Sequence, residues 1–327
     1  MAKIKNPKEI CLAVTYRCNA RCQGCSIWQH PTDPQKEIQP EHLESLPRFD
    51  FCNLSGGEPF LREDLEELVR LLLRKVRRLV ISTNGYLTEE IIDLAKKFPG
   101  AGFRISLEGL PAAHDELRGL KDGFDHALRT LLELGRLNLK DIGVAMTLSD
   151  RNILDLIDLF DLSKEKSWEF ATAIVHNNYF FHKFDNQITK ISDFERELKK
   201  LIIFLLKSRR VKNWFRAYFN YGILNHLRSR PRLLPCVAGE RTFFVDPYGE
   251  IYPCNGQKLS LGNLKEKAFP QIWFSEEARK VWQKITNCGK NCWMVGSVAP
   301  SMKKFLGRTA WWALKNKLRV TLGQEFG

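Results

Sequence analysis

Cys18-Asn19-Ala20-Arg21-Cys22-Gln23-Gly24-Cys25 places three thiols within eight residues, spaced x3 and x2. One short loop with that spacing can wrap three thiolates around a single inorganic centre. Iron–sulfur cubanes are held by thiolates, normally four. Three local thiols leave one iron for another ligand, and a metal site with an open position is characteristically catalytic. The competing reading is a structural zinc site, with His30 or a distant cysteine as fourth ligand. The stretch that decides between them lies downstream: Ser55-Gly56-Gly57-Glu58-Pro59, closing a strand-like run.

In this order, on an alternating strand/helix pattern, the two motifs resemble the signature of the radical S-adenosylmethionine (SAM) family. The resemblance implies that Cys18, Cys22 and Cys25 hold a [4Fe-4S] cluster whose open iron is chelated by the amino and carboxylate groups of SAM. A reduced cluster then passes one electron to the sulfonium. The C5′–S bond breaks, and a 5′-deoxyadenosyl radical takes hydrogen from an unactivated C–H bond. It also implies an external electron donor such as flavodoxin or ferredoxin. The cofactor carries the hard chemistry, and the protein orients it.

Site residues follow from the same resemblance. Gly56, Gly57, Glu58 and Pro59 form the SAM turn, with Glu58 receiving the amino group. Asn84, in Ser82-Thr83-Asn84-Gly85, is either a polar contact to SAM or simply a turn former. Ser106, in Ser106-Leu107-Glu108-Gly109, approaches the SAM carboxylate or ribose. Arg118 pairs with that carboxylate, with Arg129 as its rival. Gly24 stands where many members carry an aromatic residue, and Trp28 is the nearest aromatic to replace it.

The rest of the chain fits an α/β fold. Strands are expected at Glu9–Thr15, Phe49–Ser55, Arg78–Thr83, Gly102–Leu107, Asp141–Leu148 and Trp168–Val175. Leu65, Leu68, Val69, Leu72, Leu73 and Val76 form one helical face. Thr88 is a candidate helix cap, His114–Arg136 reads as largely helical, and Ser192-Asp193-Phe194-Glu195 has capping-box form. Six βα units imply a parallel sheet with helices outside, and sites on such sheets gather at the C-terminal strand ends. The resemblance implies a partial (βα)6 TIM-like barrel, followed by a small C-terminal β-hairpin/helix iron–sulfur domain. The boundaries read as residues 1–230, 231–297 and a basic tail, 298–327.

That second segment begins at Cys236. Asp246-Pro247-Tyr248-Gly249 reads as a hairpin turn, Cys254 follows it, and Cys288 and Cys292 close the set. Four thiols could hold a structural zinc. The segment resembles the twitch domain, the short form of the SPASM extension, which implies a second, auxiliary [4Fe-4S] cluster on Cys236, Cys254, Cys288 and Cys292. Cys11 and Cys52 remain. Buried structural thiols are the ordinary reading; hydrogen donors that quench a substrate radical are the catalytic one. His176-Asn177-Asn178-Tyr179 ends the sixth strand, facing the expected cavity.

The 327 residues carry a net charge of +13, and it is localised. Lys199 to Arg232 holds ten Lys/Arg and no Asp/Glu, and Val298 to Gly327 holds six against one Glu. Elsewhere acids outnumber bases. Concentrated positive charge points to an anionic partner. Met1 to Ile10 lacks an apolar run and does not read as a signal peptide. Nine cysteines then fit metal ligation in the cytoplasm better than disulfides. The expected activity is a radical SAM oxidoreductase or epimerase acting on a polar, anionic or lipid-linked small molecule. A peptide-modifying maturase is the alternative, disfavoured by the seventeen residues before Cys18. A zinc-stabilised nucleic-acid-binding protein is the reading from another class. In the tail, Lys304, Arg308, Lys315 and Arg319 fall on one stripe and Met302, Phe305, Leu306, Trp312 and Ala313 on another face, with Trp311, Leu314 and Leu318 extending the apolar arc. Such a helix either contacts a membrane surface or packs on the barrel.

Overall fold

Six short apolar segments build the first two-thirds of the molecule, the first followed by three short 3-10 turns and each of the other five by an amphipathic helix. The computed structural model describes residues 5–327; residues 1–4, the start of the Met1–Ile10 stretch, lie outside the described residues. Strands β1 (Glu9–Ala13), β2 (Phe51–Ser55), β3 (Leu79–Thr83), β4 (Gly102–Ser106), β5 (Ile142–Leu148) and β6 (Glu169–Ile174) are mutually parallel. Between them run α1 (Leu65–Lys75), α2 (Thr88–Lys97), α3 (Pro111–Arg118), α4 (Gly123–Arg136) and α5 (Leu156–Glu165). After β6 come α6 (Ile191–Lys207) and α7 (Val211–Leu227). This is the expected partial α/β barrel.

The sheet does not stop at the barrel. β7 (Thr242–Val245) pairs in parallel with β1, and β8 (Glu250–Tyr252) and β9 (Gly262–Asn263) continue it antiparallel. The order is β6-β5-β4-β3-β2-β1-β7-β8-β9. The second cysteine segment is therefore hydrogen-bonded to the first strand of the barrel. Helices α8 (Phe269–Trp273), α9 (Glu276–Thr286), α10 (Val295–Lys304) and α11 (Leu306–Thr321) complete the chain.

Strand alternation divides inside from outside. Leu12, Cys52 and Leu54 are fully buried in the core that also takes Leu68, Val69 and Leu72 of α1. Cys11, Ala13, Asn53 and Ser55 face the barrel interior instead.

Local expectations fail where a distant group does the capping. Thr88 is already helical, and its hydroxyl bonds that of Thr130 at 2.7 Å. The helix expected to start at Ser192 starts at Ile191 without a side-chain cap. There the Asp150 carboxylate, from another loop, accepts from the Thr189 and Lys190 amides at 2.8 and 3.2 Å. His114–Arg136 is two helices, broken between Arg118 and Gly123. The tail breaks at Phe305. Met302, Trp312 and Ala313 are buried as the packing reading requires, with Trp312 stacked on Tyr221 at 4.8 Å. Leu306, Trp311, Leu314 and Leu318 are exposed.

Candidate active site

The three-cysteine loop leaves the C-terminal end of β1, and the Gly-Gly-Glu-Pro turn leaves the adjacent end of β2. Backbone bonds lock the two together: the Gly57 amide donates to Thr15 O at 2.7 Å and the Glu58 amide to Arg17 O at 2.8 Å. The glycines are sterically required. A Cβ on Gly56 would lie 2.4 Å from Thr15 O, and one on Gly57 only 2.2 Å from Arg17 O. The far side of the loop is held by the Arg21 and Gln23 amides, which donate to Arg118 O and Leu117 O at 2.9 Å each. All three thiols are half-buried. Burial pushes the Cys18 thiol up to about 12 and Cys25 to about 11. Gly24 sits close to Val175, whose Cγ2 a Cβ there would approach to 3.2 Å. Trp28 instead takes the Arg21 guanidinium over its ring, 5.9 Å from the centroid.

The residues expected to touch SAM largely hold one another. Glu58 is fully buried, and its carboxylate accepts from Thr83 Oγ1 at 2.7 Å, the Asn84 amide at 2.8 Å and the Phe60 amide at 3.3 Å. Burial outweighs these donors and raises the carboxyl to about 7. These bonds tie the turn to the end of β3. Asn84 is likewise engaged. Its amide donates to Asn19 Oδ1 at 2.6 Å, and its own carbonyl oxygen accepts from the Tyr86 amide at 3.0 Å. Arg118 pairs with Glu108 at 2.6 Å and donates to Cys22 Sγ at 3.7 Å. Burial opposes the Arg118 charge, but Glu108 and the Cys22 and Cys18 sulfurs outweigh it and hold the guanidinium above its ordinary value. Its Nε is buried without a partner. Ser106, at the end of β4, is half-buried. Arg129 is on the surface, paired with Glu89, and drops out as a rival.

The second set of thiols converges from separate stretches. Burial lifts the Cys254 thiol to about 11, helped by the nearby Cys236, Cys292 and Cys288 sulfurs, and burial with Cys236 and Cys288 raises Cys292 against the pull of Arg232. Donors already point at three sulfurs: the Gly256 amide at Cys254 (3.4 Å), Gln257 Nε2 at Cys288 (3.1 Å) and Arg232 at Cys292 (3.7 Å). Among the described residues, no group of three or more His, Cys, Asp or Glu is arranged to hold a single metal ion, as a tetrahedral zinc site requires. His30, the suggested fourth zinc ligand, stacks on His182 at 4.1 Å.

One cavity of about 730 Å³ has Cys254 of the second set in its lining and reaches Tyr16 and Ile27, on either side of the first cysteine loop. Its lining runs from Tyr16, Gly56 and His176 past Cys254 to Arg78, Arg104 and Lys303. The walls are mainly small or apolar: Ala13, Ala145, Ala171, Ala173, Phe215 and Phe219. Cys11 lines the cavity as well, its thiol raised to about 11 by burial. Cys52 sits in the helix-side core, which removes it as a hydrogen donor to this space. Tyr16 Oη and His176 Nε2 are buried without hydrogen-bond partners. The neighbours of His176 turn away: Asn178 caps Phe180, and Asn177 pairs with Asn186.

Compared with known proteins, residues 12–162 match the radical SAM superfamily, and residues 236–293 match the SPASM iron-sulfur cluster-binding domain. The chain is 34% identical over 298 residues to Fe-coproporphyrin III synthase of Methanosarcina barkeri, spanning 80% of this chain and 72% of that one. This chain belongs to the radical SAM superfamily. This radical SAM enzyme is also 25% identical over 302 residues to the AdoMet-dependent heme synthase of the same organism, covering 85% of each. Its fold is shared with Streptococcus suis SuiB bound to the precursor peptide SuiA, at a TM-score of 0.64 and 16% identity, over 86% of this chain and 67% of that one.

SAM and [4Fe-4S] clusters are the cofactors of this radical SAM enzyme. The residues fit them: seven thiols in two groups, glycines that admit close backbone approach, and an unpartnered buried Arg118 Nε beside the first group. No helix among the described residues is long and apolar enough to cross a membrane. Sequence reasoning missed the clamp behind the first loop, where buried Glu37 takes Arg17 (3.0 Å) and Arg62 (3.6 Å). It also missed the charged end of the cavity. Arg78 and Arg104 share Asp141, Lys212 and Arg216 share Glu169, and Lys303 pairs with Glu9. Burial alone would raise Glu169, but Arg216 and Lys212 hold its carboxyl down at about 2. The signals were single arginines and lysines scattered over strands and helices, and the basic runs that hold Lys212, Arg216 and Lys303 gave no sign of facing a cavity.

Proposed function

We propose that this enzyme oxidises or epimerises an anionic small molecule with a large apolar body, with a carboxylated tetrapyrrole as the first class to test. The observation that carries this is the cavity: broad, apolar along its walls, and ended by five cations facing three carboxylates. Surplus positive charge beside an apolar wall suits an amphiphilic anion better than a sugar or aminocyclitol. The names of the two Methanosarcina relatives point to the same chemical class.

On this reading the chain divides into the barrel (1–230), the auxiliary-cluster segment (231–297) and the tail (298–327). Cys18, Cys22 and Cys25 would hold the first cluster, and Cys236, Cys254, Cys288 and Cys292 the second. With SAM bound, the cofactors supply the radical and one-electron chemistry. The protein's own residues position and enclose. Gly56 and Gly57 let the backbone approach SAM closely, and Glu58 fixes that turn to β3. Arg118 keeps positive charge beside Cys22 and has Nε free for a carboxylate. Arg78, Arg104 and Lys303 orient the substrate's acidic groups, and the phenylalanines exclude water. Cys11, a neutral thiol facing the cavity, is placed to return a hydrogen atom if the outcome is epimerisation. An external donor such as flavodoxin or ferredoxin supplies electrons.

The test is anaerobic incubation with SAM, reductant and one candidate at a time: iron coproporphyrin, metal-free coproporphyrin or a peptide. The expected result is 5′-deoxyadenosine formation stimulated by a tetrapyrrole, with a matching mass change in it. Stimulation by peptide alone overturns the reading in favour of the maturase alternative. If Cys11→Ala still forms 5′-deoxyadenosine but fails to complete the product, the reaction is an epimerisation; full product formation leaves oxidation.

A further inference from the structure

Helix α11 has two apolar faces, and only one is covered. Thr309, Trp312, Ala313, Asn316 and Val320 are buried against α6 and α7. On the opposite side Trp311, Leu314, Leu318 and Leu322 are 57–65% exposed. At 100° per residue these four fall within an arc of about 80°. Nothing among the described residues covers them.

Charge frames this row. Arg308, Lys315 and Arg319 follow one flank of the arc, and none forms an ion pair among the described residues. Lys315 lies over the Trp311 ring at 5.0 Å, so the cation and the indole share one surface. On the other flank, Lys317 donates to Leu206 O and Ser208 O and sits over Trp214 at 4.6 Å. Those bonds bring the α6–α7 turn, with exposed Lys207, Arg209 and Arg210, alongside the helix. The two basic stretches that stand far apart in sequence thus meet on one face. No Asp or Glu occurs between Lys303 and Gln324 to balance them.

We propose that α11 docks this enzyme onto an anionic lipid bilayer. Trp311, Leu314, Leu318 and Leu322 enter the headgroup–acyl boundary, and Arg308, Lys315 and Arg319 meet lipid phosphates. An exposed Trp/Leu row bordered by cations is the construction of an interfacial helix. The electrostatic part falls with salt, and each cation removed weakens partitioning about fivefold. Leu306, at the start of α11, lies off this arc but lines the cavity and is more than half exposed, so the cavity reaches the helix that docks.

Vesicle sedimentation of the cluster-loaded full chain tests this. Vesicles of phosphatidylcholine alone are compared with vesicles also containing about one-third phosphatidylglycerol, a fraction giving a surface potential typical of anionic membranes. Binding to the anionic vesicles only, weakened by salt, supports the proposal. The variant W311S/L314S/L318S changes only exposed side chains. It should lose vesicle binding while SAM cleavage in the absence of substrate is unchanged. R308E/K315E/R319E should lose binding at low salt. Failure of the intact chain to bind either vesicle overturns the proposal, as does undiminished binding by the triple serine variant. Concentration-dependent self-association that the serine variant abolishes, without vesicle binding, would assign the face to a protein contact and overturn it too.

Discussion

Cys18, Cys22 and Cys25 occupy eight residues of one loop, whereas Cys236, Cys254 and the pair Cys288 and Cys292 are drawn from three places. The first loop is set by the barrel. Amides of Gly57 and Glu58 hold its start, and the carbonyls of Leu117 and Arg118 hold its middle. The second set has the β7–β8 hairpin under Cys254, and its sulfurs meet donors from Gly256, Gln257 and Arg232. Its last two thiols lie on a stretch without regular structure between α9 and α10. One centre is thus held by backbone bonds within the barrel, and the other is gathered from separate stretches, where ligation would add most to holding the parts together.

The largest effect follows from separating the two. Replacing Cys18, Cys22 and Cys25 with Ala should lower the iron content from about eight to about four per chain, one cubane's worth, and abolish SAM cleavage. Replacing Cys254, Cys288 and Cys292 should lower iron equally but leave substrate-free SAM cleavage standing. Iron analysis and 5′-deoxyadenosine quantitation read both. A second-set variant that retains about four irons and cannot cleave SAM would show that the centres are not independent.

A smaller change probes the same contrast sterically. Gly57→Ala places a methyl 2.2 Å from Arg17 O, so either the turn or the cysteine loop must move. Backbone displacement of that kind costs about 1–3 kcal/mol. SAM affinity should fall about tenfold or more, since 1.4 kcal/mol is one decade. Gly289→Ala, between the last two cysteines, meets nothing within 4 Å and should leave SAM binding and iron content unchanged. Equal, wild-type affinity in both variants, by titration, would remove the claim that the first loop is held rigidly.

How much could be read from the chain follows the same division. The three-cysteine loop and the five strand–helix repeats after it are closely spaced or periodic, so they were legible, and the hairpin and the final cysteine pair marked the second set. The pairing of β7 with β1 was not, because nothing in Thr242–Val245 specifies its partner over a separation of more than 200 residues. Glu58, Asn84 and Arg118 were found by motif, but the protein groups that hold them, Thr83 of β3, Asn19 and Glu108, were not. The charged end of the cavity is assembled from β1, β3, β4, β6, α7 and α10, each contributing one or two ordinary-looking residues. In the tail the apolar arc was visible, but which part of it packs depends on Tyr218 and Tyr221 of α7.

The smallest expected effect concerns the turns beneath the two centres, each of which encloses a carboxyl. Glu58 ties the first turn. Asp246 ties the β7–β8 hairpin, its Oδ1 accepting from the Tyr248 and Glu250 amides at 2.9 and 3.0 Å while Oδ2 faces Tyr252 Oη at 3.3 Å. Burial raises the Asp246 carboxyl to about 6 despite those donors. A folded-state value above the unfolded one means that the fold favours the protonated form. That stabilisation is complete below about pH 4 and is lost as pH rises through about 6. At pH 8 the wild type therefore carries a penalty of at most about 3 kcal/mol, the equivalent of two units of pKa. Asp246→Asn stays neutral throughout, keeps an oxygen for the two amides, and places its NH2 toward Tyr252. The variant should match or exceed wild-type stability near pH 8 and lose that advantage toward pH 4, read as thermal midpoints of cluster-loaded protein across the range. A variant that is less stable by the same margin at both ends would mean that the hairpin needs the ionised carboxylate. The second centre would then rest on a turn as firmly fixed by charge as the first is by its glycines.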